Sequence, residues 1–389
     1  MTEIQTLAGE KIVLAVTGSI AAVETVHLAH ALRRRGADVQ GVMSPSACGI
    51  ISPDTLTYAT GRPVITTLSG MVEHVAMCGE GGWADLLVIA PCTANTLCKM
   101  AAGIDDTTVT TFATTAIGRG MPVIVSPAMH HSMYRHPGVT RCIQTLGDWG
   151  ICVLDPRIEE GKAKIASTDQ IVLACERELL GKPLADMHVL ITSGPCREPL
   201  DDVRVLTTRS TGQMGKALAR AAYRFGADVT IIHNADIPCM RNVRAETANE
   251  MRGALHRICK SEKVDLYISA AAISDFSPER WKGKIPSGDA RTIELQPLPK
   301  LIAEVEKEYA IPIVAFKLGD DAEEKAKKML GQGVFLVVAN GPESMGSKKS
   351  SVVVLGDKIR EEYSGAKEHV AMDIWTLLVQ NVDCWSRKD

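Results

Sequence analysis

Three short segments combine small, hydroxyl-bearing and sulfur-bearing residues in a way that suits a phosphorylated ring ligand. Residues 17–20 read TGSI. Gly18 admits close backbone approach, and Ser19 and Ile20 begin a stretch whose free N–H groups and hydroxyl can meet a phosphate. The segment is neither GxGxxG nor a Walker A loop, so it reads either as a mononucleotide phosphate site or as an ordinary strand-to-helix turn. Residues 91–96 read PCTANT and residues 127–134 read PAMHHSMY. Thr93 and Asn95, beside Cys92, offer polar edges to a flat heteroaromatic ring. Met129 and Met133 either contact such a ring or fill the core. His130, His131 and His136 cluster in sequence, but their spacing fits no standard ligand set, and no metal site is expected there. His74, before a Val-Ala pair, reads by itself as structural.

A second group lies further along. Arg197, Arg204 and Arg209 precede Ser210, Thr211 and Gly212. Guanidinium forks beside such a turn suit phosphate or carboxylate, or else pair with Glu198, Asp201 and Asp202. Residues 268–288 read ISAAAISDFSPERWKGKIPSG. The small residues Ser269, Ala270 and Ala271 allow close approach of a ligand. Asp275 can accept from a base or hold Mg²⁺, and Lys284 can neutralise a transferring phosphoryl group.

These segments need a scaffold that presents them at strand ends. Apolar, β-branched runs predict strands over 11–16, 38–43, 85–90, 122–126, 188–193, 228–233, 265–270, 311–316 and 334–339. Runs such as LLVIA and PVIVS lack alternation, which marks strands buried on both faces in parallel sheets with crossover helices. The fold class is therefore α/β, with two doubly wound parallel-sheet domains. LAHALRRRGADV at 28–39 is echoed by LARAAYRFGADV at 218–229, through duplication or through convergence on one helix–Gly–strand unit. Gly-Lys-Pro at 181–183 marks the boundary, giving domains 1–185 and 186–389. Residues 320–328, DDAEEKAKK, read as a helix because the carboxylates precede the lysines. The tail after Lys358 reads as a last helix and a frayed end.

The chain has 389 residues, 46% of them hydrophobic and 23% charged, as expected of a globular protein of two domains. A formal net charge of −3 excludes a global basic field for nucleic acid, and 4% aromatics argue against a base-stacking platform. No apolar run reaches the roughly 18 residues of a membrane span. The start MTEIQTLAGEK lacks a charged-then-apolar signal pattern. The 11 cysteines are odd in number, scattered and never in C-x-x-C spacing, which fits reduced thiols in the cytoplasm. Small-molecule substrates are expected as partners, without nucleic acid or membrane.

TGSIAA, Glu73-His74, WADLLVIAPCTANT and PAMHHSMY together resemble the flavin-dependent cysteine decarboxylases, in particular the phosphopantothenoylcysteine decarboxylases of coenzyme A synthesis. The resemblance covers about residues 10–170. It implies FMN held at Gly18, Ser19, Ile20, Ser44, Cys92, Thr93, Asn95, Met129 and Met133, with His74 as the essential histidine. The family's asparagine that binds the substrate carboxylate is His130 here. The flap cysteine that donates a proton in bacterial and eukaryotic forms has no match in DPRIEEGKAKIAS (155–167), which looks like the archaeal branch. There Lys162 and Lys164 are the candidates for substrate phosphate binding or proton donation.

Over about residues 187–385 the chain resembles phosphopantothenate–cysteine ligase, through GPCREPLDDVR, STGQMG, AAAISDF, KGKIPS, PLPKLI, VAFKLG and VVAN in the family's order. The resemblance implies activation of 4′-phosphopantothenate by CTP with Mg²⁺, and then attack by cysteine. It places Ser269, Ala270, Ala271, Asp275, Lys284, Pro299, Lys300, Leu301, Ile302 and Phe316 at the nucleotide, with Lys327 or Lys328 at its phosphates and Arg204 catalytic. Thr208 replaces the asparagine of the cysteine step, and Gln213 replaces a lysine. The two resemblances name consecutive steps of one pathway. They also imply a homo-oligomer, trimeric through the flavin half and dimeric through the ligase half. Two other readings stand beside this one: another flavoprotein of the same fold, such as a flavin prenyltransferase or pterin-type reductase, or a non-catalytic flavin- or nucleotide-binding subunit.

Overall fold

A computed structural model of the chain describes residues 4–288, 290, 292–319 and 321–385. The chain divides into two compact units, Met1–Gly181 and Lys182–Asp389.

The first unit's strands are β1 (Lys11–Val16), β2 (Asp38–Met43), β3 (Leu86–Cys92), β4 (Val123–Pro127), β5 (Met129–His130), β6 (Cys152–Val153), β7 (Arg157–Glu159) and β8 (Lys162–Lys164). Five of them form a parallel sheet in the order β2-β1-β3-β4-β6. Every residue of β3 is buried, as a strand covered on both faces requires. Ile12, Leu14 and Val16 of β1 join one core layer with Leu28 and Leu32; Val13 and Ala15 join the opposite layer with Leu97 and Phe112. That alternation follows from the two-residue period of a strand. The small sheet β5-β8-β7 is antiparallel. Its β7–β8 turn, Glu160-Gly161, has positive φ at both residues (51° and 68°), as a tight two-residue hairpin demands.

The second unit's strands are β9 (His188–Thr192), β10 (Arg197–Pro199), β11 (Val205–Thr207), β12 (Asp228–His233), β13 (Arg241–Arg244), β14 (Leu266–Ser269), β15 (Phe276–Pro278), β16 (Leu295–Pro297), β17 (Ile313–Leu318), β18 (Leu336–Asn340), β19 (Lys349–Leu355) and β20 (Arg360–Ala366). The main sheet runs β13-β12-β9-β14-β17-β18-β19-β20. It is parallel through β18 and closes with the antiparallel β19 and β20. The sheet is thus mostly parallel, as expected, with an antiparallel edge, and the tail after Lys358 contributes a strand before its helix. β20 precedes the helix Lys367–Gln380, because the 349–366 stretch pairs with itself as a hairpin and needs no crossover. Val189 and Ile191 pack with Leu218 and Trp375 on one face; Leu190 packs with Leu255 and Ile258 on the other. The charge-patterned stretch is helical over Ala322–Leu330, and Asp320 lies outside the described residues.

The sequence echo has a geometric counterpart within each unit. Gly36 and Gly226 both have φ of 97°. A Cβ would lie 2.9 Å from the Ala8 Cα at Gly36, and 2.7 Å from the Lys182 Cα at Gly226. The N–H of Lys11 donates to the Asp85 carboxylate at 2.9 Å, and that of His188 to the Asp265 carboxylate at 2.8 Å. Each unit thus ties the first residue of its central strand to the aspartate before the neighbouring strand.

Candidate active sites

Ligands of open α/β sheets sit at the carboxyl ends of the strands, where the strand order reverses. In the first unit that point lies between β1 and β3. A cavity of about 410 Å³ there is lined by Gly18, Ser19, Ser44, Ser46, Thr93, Ala94, Asn95, Thr96, Thr107, Ala128, Met129 and Met133. Four of these are helix N-caps. Ser19 accepts from the N–H of Ala21, Ser44 from Ala47, Thr93 from Thr96 and Thr107 from Thr110. The rim is uncharged, and helix starts bring partial positive charge to it.

Thr17, which sequence reasoning left unassigned, locks the loops together. Its hydroxyl donates to the Pro91 carbonyl at 2.8 Å and accepts the Thr93 N–H at 3.0 Å. A Cβ on Gly18 would lie 2.4 Å from the Ser46 Cβ, so only glycine fits. This glycine-floored, hydroxyl-rimmed cavity with Met129 and Met133 on its wall fits a flavin mononucleotide: hydroxyls and N–H groups for the phosphate, thioethers for the ring.

Ile20 begins the short helix Ile20–Glu24 and is 76% exposed. Cys92 is fully buried, and burial pushes its thiol well above the usual range; its contribution is packing. His74 stands in the helix Glu73–Cys78, and its buried Nδ1 has no hydrogen-bond partner among the described residues. His130 faces elsewhere: with His131, Ser132, Arg135 and Gly161 it lines a second cavity of about 510 Å³. Its Nδ1 lies 2.8 Å from the Ser132 hydroxyl, and in the strand register it stands opposite Lys162.

The flap lysines differ. Lys164 Nζ pairs with Glu159 at 3.0 Å and Glu160 at 3.1 Å. Hydrogen bonding to Glu159 and then to Glu160 pushes its pKa up, the opposite of what a proton donor needs. The two carboxylates, rather than the nearby Lys162, set its charge state. Lys162 is exposed on the same hairpin.

In the second unit the strand order reverses between β9 and β14. A cavity of about 140 Å³ there brings Ser210, Thr211, Gly212, Gln213 and Gly215 to Ala270, Ala271 and Phe316, with Asn340, Ser344, Ser350 and Lys367 completing the wall. Gly212 has φ of 69°, and a Cβ there would meet the Gly194 Cα at 2.9 Å. A Cβ on Gly215 would meet the Ser193 Oγ at 2.2 Å. Both glycines let the Gln213–Arg224 helix start press against the end of β9. Ser269 is buried at the end of β14.

The DDVR and KGKIPS segments form a second cluster. The Asp201 carboxylate accepts the N–H of Val203, Arg204 and Ile285, and the Arg204 guanidinium at 2.6 Å. Burial works to raise the Asp201 pKa, but these donors outweigh it and hold it down to about 2. Arg204 also reaches the Ile285 carbonyl at 3.4 Å, so its charge is spent on the loop. Lys284, next to Ile285 in the chain, and Asp275 are both exposed. Thr208 accepts the Ser210 N–H at 3.4 Å.

Other expected residues lie apart from the cavity lining. Pro299 is exposed, Lys300 caps the helix Leu301–Tyr309, Leu301 is 5% exposed in the core and Ile302 packs against it. Lys327 and Lys328 lie exposed in the last turn of the Ala322–Leu330 helix, about one and a half turns beyond its start. Lys367 and Ser350 were missed, because neither belongs to a recognisable run. Among the described residues no group of three or more His, Cys, Asp or Glu is placed to hold a metal. Mg²⁺, a hard cation that keeps waters and phosphate oxygens as ligands, would arrive with the nucleotide.

Residues 2–180 match the family described as Flavoprotein, and residues 184–382 match the DNA/pantothenate metabolism flavoprotein C-terminal domain. A coenzyme A biosynthesis bifunctional protein CoaBC of Thermococcus kodakarensis is 42% identical over 387 residues, covering 96% of each chain. A CoaBC of Methanocaldococcus jannaschii is 33% identical over 385 residues, covering 95% of this chain and 93% of its own. A solved C-terminal domain of a CoaBC is 25% identical over 52% of this chain and all of its own, with a TM-score of 0.44. With both halves matched in order and 42% identity to the Thermococcus protein over nearly the full length, the chain belongs to the family of coenzyme A biosynthesis bifunctional proteins.

Proposed function

We infer that the chain is a two-step enzyme of coenzyme A biosynthesis, with the decarboxylase in residues 1–185 and the ligase in 186–389. In the ligase half a carboxylate oxygen of 4′-phosphopantothenate attacks the α-phosphorus of CTP and pyrophosphate leaves. The cysteine amine then attacks the acyl carbon of the cytidylate, and CMP leaves. Lys284 neutralises charge on the transferring nucleotidyl group. The staple of Asp201, Arg204 and Ile285 positions its loop. Thr208 stands where the cysteine step is organised.

In the decarboxylase half the product's cysteine carboxylate leaves as CO₂ and a proton takes its place. FMN, when bound, supplies a reversible hydride acceptor, so the half needs no second electron carrier. Gly18, Ser19, Ser44, Thr93 and Asn95 would hold the cofactor, with Met129 and Met133 available to its ring, and Thr17 fixes the loops that carry them. His74 moves a proton beside it. His130 holds the substrate carboxylate, and Lys162, opposite it, supplies the final proton.

The observation that carries this reading is that one chain has TGSI and PCTANT at the strand-order reversal of one sheet and STGQMG and Ala270-Ala271 at that of another. The reading includes self-association, trimeric through the flavin half and dimeric through the ligase half. Among the described residues no helix is long and apolar enough to cross a membrane. The scattered cysteines, none in C-x-x-C spacing, support a cytoplasmic setting. The test is turnover. Purified protein should be yellow, release pyrophosphate only with CTP and 4′-phosphopantothenate together, and release CO₂ once cysteine is added. Flavin without either release favours a non-catalytic subunit, and CO₂ from another substrate favours a different flavoenzyme.

A further inference from the structure

The first unit's second cavity holds a cation that the decarboxylase reading leaves unused. His130, His131, Ser132, Arg135 and Gly161 line its volume of about 510 Å³, and none of them is acidic. Arg135 ends the short helix His131–Tyr134, where its backbone N–H donates to the His131 carbonyl at 3.0 Å. Its side chain is exposed and has no carboxylate partner among the described residues. The flap's carboxylates are engaged elsewhere. Glu159 pairs with Arg157 at 3.3 Å and Lys164 at 3.0 Å, and Glu160 pairs with Lys164 at 3.1 Å. His131 lies four residues before Arg135, on the same side of the helical turn, and its N–H donates to the Gly161 carbonyl at 3.2 Å. The buried Nδ1 of His131 has no hydrogen-bond partner among the described residues.

We propose that Arg135, with His131 beside it, forms a phosphomonoester subsite in the first unit, which holds the phosphate of the decarboxylase substrate and selects the phosphorylated form. That substrate carries two anions, and the cavity offers two kinds of donor. The Nδ1 of His130 accepts the Ser132 N–H at 3.3 Å. A backbone N–H can only donate, so the ring hydrogen of His130 sits on Nε2. His130 is thereby an uncharged N–H donor. The release of CO₂ disperses the carboxylate's charge. A cation seated on that carboxylate would bind more tightly before the transition state than in it, and would slow the step. An uncharged donor therefore suits the group that leaves, and a guanidinium fork suits the group that keeps its charge. Arg135 lies five positions after His130, and a helical turn rises about 1.5 Å per residue, so the two ends of an elongated substrate can be held together. Lys164 is spent on the two glutamates, and Lys162 supplies the proton, which leaves the phosphate to Arg135. The proposal rests on the decarboxylase reading for the identity of the substrate, but not for the existence of the subsite.

CO₂ release from 4′-phosphopantothenoylcysteine and from its dephosphorylated form tests the subsite without the ligase half. The wild type should show the lower KM for the phosphorylated substrate. Arg135→Met should raise that KM at least about tenfold, the scale of a lost charge-assisted hydrogen bond. Its kcat should change little, because the phosphate is bound equally before and in the transition state. KM for the dephosphorylated substrate should hardly move, which also shows that the variant folds. Arg135→Lys should restore part of the loss. An equal rise in both KM values, or a rise in neither, overturns the proposal. A fall in kcat for both substrates places Arg135 at the reacting carboxylate and overturns it too.

A chemical probe reads the subsite without turnover. Phenylglyoxal modifies exposed guanidinium groups, and mass spectrometry of the digested protein follows Arg135 alone. 4′-Phosphopantetheine should slow modification at Arg135, and pantetheine should not. Protection by both, or by neither, overturns the subsite. His131→Phe, in protein that stays yellow, should weaken the protection a few-fold; unchanged protection removes His131 from the proposal. If 4′-phosphopantetheine protects Arg135 but the wild type releases CO₂ from neither substrate, the decarboxylase reading fails and the subsite stands.

Discussion

The carboxylate of Asp201 accepts the backbone N–H of Ile285 at 3.0 Å across 84 residues of sequence. This bond staples the β10–β11 hairpin to the loop that carries Lys284. The staple is ionic in origin, so it has a pH signature. In the unfolded chain the carboxyl titrates in the usual aspartate range near 4; in the folded protein it titrates at about 2. A depressed carboxyl contributes stability that is complete above the unfolded value and is lost as pH falls through the folded one. The wild-type Tm should therefore fall between about pH 4 and pH 2, and Asp201→Asn should flatten part of that slope. The same variant should lower kcat/KM for ligation about tenfold, since a misplaced loop costs orientation, and leave CO₂ release unchanged. An unaltered acid slope in the variant would remove Asp201 from the account.

Lys284 tests the charge on that loop. Losing one preorganised donor at a transition state typically costs about a hundredfold or more in rate. Lys284→Gln should cut pyrophosphate release by that factor and leave the decarboxylase half untouched. A fall of only a few-fold means that the KGKIPS loop acts as architecture.

His74 is tested by separating colour from turnover. Its buried Nδ1 has no hydrogen-bond partner among the described residues, and it lies outside the set of residues that line the flavin-sized cavity. His74→Asn should keep the flavin absorbance and abolish CO₂ release. A yellow variant with undiminished release excludes the imidazole from proton transfer.

The flap expectation is sharper in structure than in sequence. Lys164 sits between Glu159 and Glu160, and Cys175 is fully buried with its thiol pushed up by burial. Neither is suited to give up a proton. Lys162→Met should make the unsaturated product, lighter by one H₂, accumulate. Lys164→Met should slow the reaction only by loosening the hairpin, and Cys152→Ser and Cys175→Ser should yield the saturated product. Mass spectrometry of the product decides between them, and the lighter species in a cysteine variant reverses the assignment.

The central strands are legible because each is a buried apolar run of distinctive composition: KIVLAV, DVQGVM and DVTIIH form strands over the residues expected of them. The short hairpins are not. RIE and KAK at β7 and β8 are polar and mostly exposed, so neither burial nor propensity marks them. β20, REEYSGA, carries charge and glycine and is recruited only because β19 offers it an edge. The loops after β1, β3 and β14 are legible as sites because parallel strands deliver their carboxyl ends to ligands. Ser350 and Lys367 come to that edge through the β19–β20 hairpin, a long-range pairing that no local pattern announces. Leu301 shows the converse: it belongs to a family motif, yet its side chain is core.

Gly18 offers the most direct test of the flavin cavity. Its φ is unexceptional, so the constraint is space and not backbone conformation. A Cβ there would lie 2.4 Å from the Ser46 Cβ, 3.2 Å from the Ser46 carbonyl carbon and 3.3 Å from its oxygen. Those neighbours are backbone or next to it and cannot swing away, so the TGS turn itself must shift. Thr17 resists that shift, because its hydroxyl bonds both Pro91 and Thr93, and a shift large enough to fit a methyl carries Ser19 and the Thr93 cap with it. Overpacking of this kind costs about 1–3 kcal/mol, a loss that the apolar layers on both faces of β1 can absorb. Gly18→Ala should therefore fold, purify colourless and release no CO₂. Pyrophosphate release from CTP should persist, since the ligase motifs lie in the other compact unit. A variant that purifies yellow with full CO₂ release would show that the turn is an ordinary strand-to-helix connection and that the flavin sits elsewhere.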